Sequence, residues 1–313
     1  MPVKEVVVGL GSCGIAAGAR HAYEIFSEES LIKEKGIILK PTGCIGACHR
    51  EPLVEIRETG GKSYLYGEVD EKRAREIIKR HVEKGEVIED WLVEPGYSYF
   101  TKQHKIVLAH SGVINPEDID EYLDVNGYEA LKKVLLQMSP EEVIEEIKTS
   151  GLRGRGGAGF PTGIKWGFAH NSRGDKKYMI CNADEGDPGA FMDRSVLEGD
   201  PQAVLEGMLI GAYAIGSDEG YIYVRAEYPL AIRRLKIAIA QAEEKGFLGK
   251  NILGKNFSFD VKIYKGAGAY MSGEETALLE SIEGKRACAR GKPPYPAIEG
   301  LFGKPTLINN VET

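Results

Sequence analysis

The residues best suited to chemistry in this 313-residue chain lie in glycine-rich stretches. Gly151-Leu152-Arg153-Gly154-Arg155-Gly156-Gly157-Ala158-Gly159-Phe160-Pro161-Thr162-Gly163-Ile164-Lys165-Trp166 combines bare backbone with cations and aromatic rings. Glycine lets successive N–H groups approach a phosphate or a flat ring without interference from a Cβ. Arg153, Arg155 and Lys165 supply the charge an anionic ligand requires, and Phe160, Trp166 and Phe168 offer faces for a planar ligand. A second stretch, Cys181-Asn182-Ala183-Asp184-Glu185-Gly186-Asp187-Pro188-Gly189-Ala190-Phe191, follows a strand signal. Ligands of open α/β sheets bind beyond the carboxyl ends of strands, where Asn182 can donate and accept and Asp184 and Glu185 can accept from sugar hydroxyls. A third, Gly266-Ala267-Gly268-Ala269-Tyr270-Met271-Ser272-Gly273-Glu274-Glu275, joins a strand to a helix, with its glutamates placed as acceptors.

Gly9-Leu10-Gly11-Ser12-Cys13-Gly14 is a literal G-x-G-x-x-G between a strand and a helix, the form of a dinucleotide fingerprint. That reading needs an acid at the end of the second strand. The acids at the right spacing, Glu28 and Glu29, fall at a helix end, and the strand Ile37 to Lys40 ends basic, which favours a plain strand-to-helix turn. The cysteines are Cys13, Cys44, Cys48, Cys181 and Cys288. An odd number without a secretory signal argues against a disulfide scaffold and for metal ligation or redox chemistry by some of them.

The elements that must position these groups follow from pattern. With 42% hydrophobic residues the chain can bury a core, and its length suggests two domains. A net charge of −7 argues against binding through phosphate contacts, so no nucleic-acid partner is expected. No apolar run approaches the ~20 residues of a membrane span, so no direct membrane insertion and a cytoplasmic location are expected. The first part reads as strand Val3 to Val8, helix Gly14 to Glu28, strand Ile37 to Lys40, strands Leu53 to Arg57 and Ser63 to Val69, and helix Glu71 to Glu86. This βαβ–ββα order is the layout of a thioredoxin-like domain. Ser139-Pro140-Glu141-Glu142 predicts a capped helix start. Beyond it, strands at Lys177 to Cys181, Tyr221 to Arg225 and Phe257 to Tyr264 alternate with helices at Gln202 to Ile215, Pro229 to Lys245 and Glu274 to Glu283, which implies a parallel sheet covered on both faces. The expected domains are 1–88, a connector 89–138, and 139–313.

Taken in order, Gly151 to Trp166, Asn182 to Asp193, Gly266 to Arg286, Lys292-Pro293-Pro294-Tyr295-Pro296 and Asn309-Asn310-Val311-Glu312-Thr313 resemble the FMN- and NADH-binding flavoprotein subunit of complex I and of NAD(P)-linked hydrogenases and formate dehydrogenases. Residues 1–85 resemble the thioredoxin-like [2Fe-2S] ferredoxin often fused ahead of it. The resemblance implies an α/β protein: an N-terminal thioredoxin-like domain, then a Rossmann-like FMN/NAD-binding domain with a mostly parallel sheet. It implies an NAD(P)H dehydrogenase (diaphorase) module that moves hydride between NAD(P)H and FMN and then single electrons to iron–sulfur clusters in partner subunits of a redox complex. FMN falls to Gly154, Arg155, Gly156, Gly157, Lys165, Asn182, Asp184, Gly273, Glu274, Asn309, Asn310 and Thr313. NAD(P)H falls to Gly157, Phe160, Phe168, Glu185, Asp187, Tyr270, Glu275, Lys292 and Tyr295, with the adenine between Phe160 and Phe168. Hydride transfer is by positioning, with no general base. Position 187 is Glu in respiratory versions; Asp187 here leaves NAD(H) and NADP(H) both open, with a lean to NAD.

Two departures from the pattern stand out. The ferredoxin needs C-x4-C and C-x3-C; Cys13, Cys44 and Cys48 match, but Val8 takes the place of the first cysteine. Either His21, His49 or Ser12 completes a [2Fe-2S] site, or the domain is cluster-free. The family's ubiquitin-like segment and [4Fe-4S]-bearing helical bundle have no counterpart, and Cys181 and Cys288 lack that spacing. The rival expectation is therefore a non-catalytic docking or assembly fragment that holds FMN poorly.

Overall fold

A computed structural model describes residues 2–93, 102–266 and 270–313. Part of the expected connector (94–101) and residues 267–269 of the third glycine-rich stretch lie outside them. The chain divides into two compact units, Met1–Pro116 with Glu198–Asp200, and Glu117–Leu197 with Pro201–Thr313.

The first unit contains β1 (Val3–Gly9), α1 (Ser12–Ala16), α2 (Ala19–Glu28), α3 (Ser30–Glu34), β2 (Ile38–Thr42), β3 (Val54–Glu58), β4 (Ser63–Tyr66) and α4 (Glu71–Ile77). The sheet order is β2-β1-β3-β4, with β2 parallel to β1, and β3 antiparallel to both β1 and β4. This is the thioredoxin-like arrangement expected from the element order. Alternation along β1 and β3 sends Val6, Val8, Val54 and Ile56 into one core with Phe26 and Ile77. Two expected helices are shorter than the pattern suggested. The run from 14 to 28 breaks at Gly18, whose φ of 104° lies in the left-handed region that an α-helix cannot continue through. The helix at 71 passes into a π-helical turn at Ile78–Val82, which lets the adjacent Ile77 and Ile78 both reach the interior.

The second unit contains α5 (Ile119–Asp124), α6 (Glu129–Gln137), α7 (Pro140–Thr149), α8 (Thr162–Asn171), β5 (Tyr178–Ala183), α9 (Met192–Gly199, except its last two residues), α10 (Pro201–Ile215), β6 (Glu219–Arg225), α11 (Pro229–Glu244), β7 (Asp260–Gly266), α12 (Glu275–Ile282) and β8 (Thr306–Asn310). Its four strands are all parallel, in the order β7-β6-β5-β8. On one face Tyr178, Ile180, Tyr223 and Ile308 pack with Leu278, Leu279 and Ile282 of α12. The capping box forms at α7, where Ser139 and Glu142 satisfy each other's backbone amides. Glu206 is the acid of the otherwise mostly apolar helix α10, and its buried carboxylate accepts from Tyr122 Oη (2.6 Å), Tyr128 N (2.9 Å) and Leu131 N (3.0 Å). A buried charge is tolerated only with such a set of donors. The expected strand at 257–264 lies three residues later, because Phe259 bridges back to Gly249 before β7 starts. Pattern alone missed α5, α6, α8, α9 and β8: α5 and α6 lie in the stretch read as a connector, α9 is only eight residues long, α8 carries two glycines and apolar residues on several sides, and β8 is only five residues long. Among the described residues no helix is long and apolar enough to cross a membrane.

Candidate active site at the carboxyl edge of the parallel sheet

All four parallel strands of the second unit end on one edge, and most of the expected site residues lie there. Asn182 of β5 is in register with Tyr223 of β6 and Asn310 of β8, so three strand ends present side chains together. Asn182 Nδ2 donates to Gly273 O at 3.0 Å, and its Oδ1 accepts from Asp184 N at 3.1 Å, which ties the β5 turn to the segment before α12. Asp184 Oδ2 is buried and has no hydrogen-bond partner. Burial pushes this carboxyl up to about 6, against the pull of Arg225.

The glycine-rich loop leaves α7 and returns to α8 as a closed turn. Gly154 N donates to Phe160 O (2.9 Å), Thr162 N to Leu152 O (2.9 Å), and Arg153 Nε to Gly159 O (2.6 Å). These bonds fix the base of the loop and leave Gly156 and Gly157 at its tip. Gly157 has φ 110°, with no atom within 4 Å of the place a Cβ would occupy, and a Cβ on Gly156 would meet Asn310 Cβ at 3.4 Å. Arg155 N donates to Thr313 Oγ1 at 2.9 Å, joining the tip to the segment after β8. Asn309 turns away: with its amide oriented to satisfy both neighbours it accepts from Trp166 Nε1 at 3.0 Å and donates to Ile308 O at 3.2 Å.

Charge on this edge is paired. Glu275 lies between Lys292 (2.7 Å) and Lys165 (3.5 Å), and Lys292 also reaches Glu274 at 3.0 Å. Burial draws the Lys165 ammonium below the ordinary lysine range, with Glu275 opposing. Glu274 caps α12, its Oε2 accepting from Thr276 N (2.8 Å) and Ala277 N (2.9 Å). Glu185 is buried and caps α9, accepting from Asp193 N (3.1 Å) and Arg194 N (3.2 Å), with Tyr228 Oη at 3.1 Å. These two carboxylates therefore anchor helix starts as well as facing the edge.

Phe160, Phe168, Tyr270 and Tyr295 are all exposed, as aromatic groups awaiting a planar ligand would be. Tyr270 Oη donates to the exposed Asp187 carboxylate at 3.1 Å. The Phe160 and Phe168 rings stand 6.4 Å apart and are tilted by 40°, so they do not form the parallel walls expected around an adenine. Sequence reasoning missed Asp193, Arg225 and Tyr228. Arg225 donates to the Glu185 carbonyl and lies over the Tyr228 ring at 5.8 Å, bracing the β5 turn from β6. The available signal was position: Arg225 is the last residue of its strand, and Asp193 the acid in the first turn of α9.

In the first unit, Cys48 contacts both Cys13 and Cys44 through side chains, and Gly46 N donates to Cys44 Sγ at 3.3 Å. Burial pushes the Cys44 and Cys48 thiols up. Val8 is fully buried in the core with Val6, paired with Pro41 and Val54 across the sheet. Of the expected fourth ligands, His21 is exposed beside Glu24, His49 is exposed, and Ser12 donates to Glu198. Among the described residues no three His, Cys, Asp or Glu side chains are arranged to hold a metal ion. This donor set does not fit a four-ligand [2Fe-2S] cluster. Cys181 is buried in β5 and Cys288 is exposed, apart from the other three in sequence.

Comparison with known proteins gives one family match, the Nuo51 FMN-binding domain, over residues 147–313. The NADP-reducing hydrogenase subunit HndC of Solidesulfovibrio fructosivorans is 60% identical over 212 residues, 68% of this chain and 43% of that protein. An NADH-quinone oxidoreductase subunit of Aquifex aeolicus is 58% identical over 195 residues, 62% of this chain and 45% of that protein. Among solved structures, an NAD+-reducing [NiFe]-hydrogenase in the H2-reduced state aligns with 28% identity and a TM-score of 0.56, covering all of this chain and 51% of that one. The chain spans less than half the length of the curated relatives it matches.

Proposed function

We propose, from the premise that this chain belongs to the Nuo51 FMN-binding domain family, that the carboxyl edge of its parallel sheet binds FMN and a reduced nicotinamide dinucleotide and acts as an NAD(P)H dehydrogenase module. The observation that carries this reading is the bare Gly156–Gly157 tip facing Asn310, beside the buried, unpartnered Asp184 Oδ2. A cradle that a Cβ would fill and an acceptor without a donor fit a ligand with phosphate at one end and hydroxyls along its chain.

Lys165 and the loop amides would meet the phosphate. Asp184 would accept from the ribityl hydroxyls, which removes the cost of its unmade hydrogen bond. Asn182, Asn310 and Thr313 would hold the ring and chain, with Gly273 leaving room for them. The dinucleotide would lie over the exposed faces of Phe160, Phe168, Tyr270 and Tyr295, with Lys292 and Glu275 at its polar groups and Asp187 at its ribose. FMN, when bound, supplies two-electron hydride chemistry and one-electron release. The chain's own contribution is to stack two rings and exclude water, since no side chain need move a proton in the hydride step. The Asp187 carboxylate, tied to Tyr270, opposes an added phosphate and supports NAD(H) over NADP(H).

The same reading makes the chain a cytoplasmic component that passes electrons to partner subunits carrying iron–sulfur clusters. The test is direct. Purified protein should quench the fluorescence of added FMN at one equivalent per chain and then reduce ferricyanide with NADH. Protein that binds no FMN and shows no such activity would instead be a docking fragment.

A further inference from the structure

Asn310 ends β8 at the carboxyl edge, in register with Asn182. Its Nδ2 donates to Asp193 Oδ1 and Oδ2 at 3.0 and 2.9 Å, and its Oδ1 accepts from Glu312 N at 3.0 Å. Exchanging the two ends of this amide would set its oxygen against a carboxylate and its NH2 against an N–H, so a charged Asp193 admits one orientation only. Asp193 is itself held: it is 3% exposed, and its backbone amide is bonded to Glu185. A Cβ on Gly156 of the loop tip would meet Asn310 Cβ at 3.4 Å, so the Asn310 side chain starts beside the tip.

We propose that Asp193 is a positioning residue for FMN: it touches no cofactor, and acts by fixing the polarity of the Asn310 amide so that one hydrogen and one lone pair always face the ligand in the same sense. The proposal rests on the reading that this edge holds FMN. A buried carboxylate is a costly way to orient an amide, and its ionisation makes the device sensitive to pH. Burial pushes the Asp193 carboxyl up to about 7, with the Asn310 hydrogen bond opposing. The titratable groups facing it are Glu185 from the β5–α9 turn, Glu312 after β8, and the Cys181 thiol within β5. Once protonated, Asp193 becomes a donor as well as an acceptor and no longer discriminates between the two ends of the Asn310 amide, whose orientation is then held by the Glu312 N–H alone.

The test is a fluorescence titration of the 313-residue chain with FMN between pH 6 and pH 8.5, with melting of the FMN-free protein as a check on folding. The wild-type protein should lose affinity on acidification with a midpoint near 7. Asp193→Asn should bind FMN about tenfold more weakly at pH 8, because an Asn310 amide that is no longer held in one sense loses about one hydrogen bond to the ligand, and should lack that midpoint. Wild-type affinity and pH profile retained in Asp193→Asn would overturn the assignment while leaving FMN binding intact. No FMN binding by the wild-type protein at any pH would overturn both. If Asp193→Asn does not fold, the wild-type profile decides: a midpoint near 7 supports the assignment, and a flat profile refutes it.

Discussion

In the Gly9–Gly14 turn, a Cβ on Gly14 would lie 2.5 Å from the Gly9 carbonyl oxygen and 2.9 Å from Glu51 Oε2, and one on Gly11 would lie 3.0 Å from Cys44 Cβ. In the Gly154–Gly159 loop no such position comes nearer than 3.4 Å to another atom. The first turn is glycine-rich because its own protein presses against it; a buried carboxylate lies under Gly14, a poor floor for the anion that the G-x-G-x-x-G pattern suggests. The second is glycine-rich with its space unfilled. A sequence motif records that side chains are excluded, and only the packing tells whether protein or ligand excludes them.

Substitutions at the two loops should therefore separate cleanly. Gly157→Val places a β-branched residue at φ 110° in open space. It should weaken FMN binding by roughly 10- to 100-fold through displaced loop amides, with a stability loss of about 1–2 kcal/mol from the strained φ. Gly14→Ala should do the opposite, costing about 2–3 kcal/mol of stability by overpacking while the folded protein binds FMN normally. If Gly14→Ala lost FMN and kept its stability, the comparison would fail. The finest distinction concerns Glu51, which burial raises from 4.5 to about 7. Its folded form binds a proton more tightly than the unfolded chain, so this contribution is complete below pH 4.5 and disappears as pH rises through about 7. Urea unfolding at several pH values should show wild-type stability falling across that window and a flatter curve for Glu51→Gln. Equal slopes would show that the carboxylate is not confined beneath the Gly9–Gly14 turn.

Much of the site could be read from residue order. Asn182, Asp184, Lys165 and the loop glycines were placed by being next to strand ends and by composition, and all lie at one edge. The roles of several residues could not be read. Glu185 and Glu274 look alike as acceptors in sequence, yet Glu274 caps the helix that it opens, whereas Glu185 caps α9, a helix that the linear pattern does not reveal. Asn309 and Asn310 are adjacent, yet strand alternation sends one to Trp166 and the other to Asp193. The C-x3-C spacing of Cys44 and Cys48 reads as ligation, and Val8, buried in the core, leaves no thiol where the first cysteine of the other pair would stand.

The chain alone determined the two α/β units, the run of parallel strands and the identity of the glycine-rich loops, because these follow from local periodicity and from the backbone freedom of glycine. Only the tertiary structure decided which loop has room for a ligand, which carboxylates are committed to helix ends, and which amide Asp193 holds. Those outcomes depend on contacts between residues as much as 158 positions apart, which no local pattern encodes.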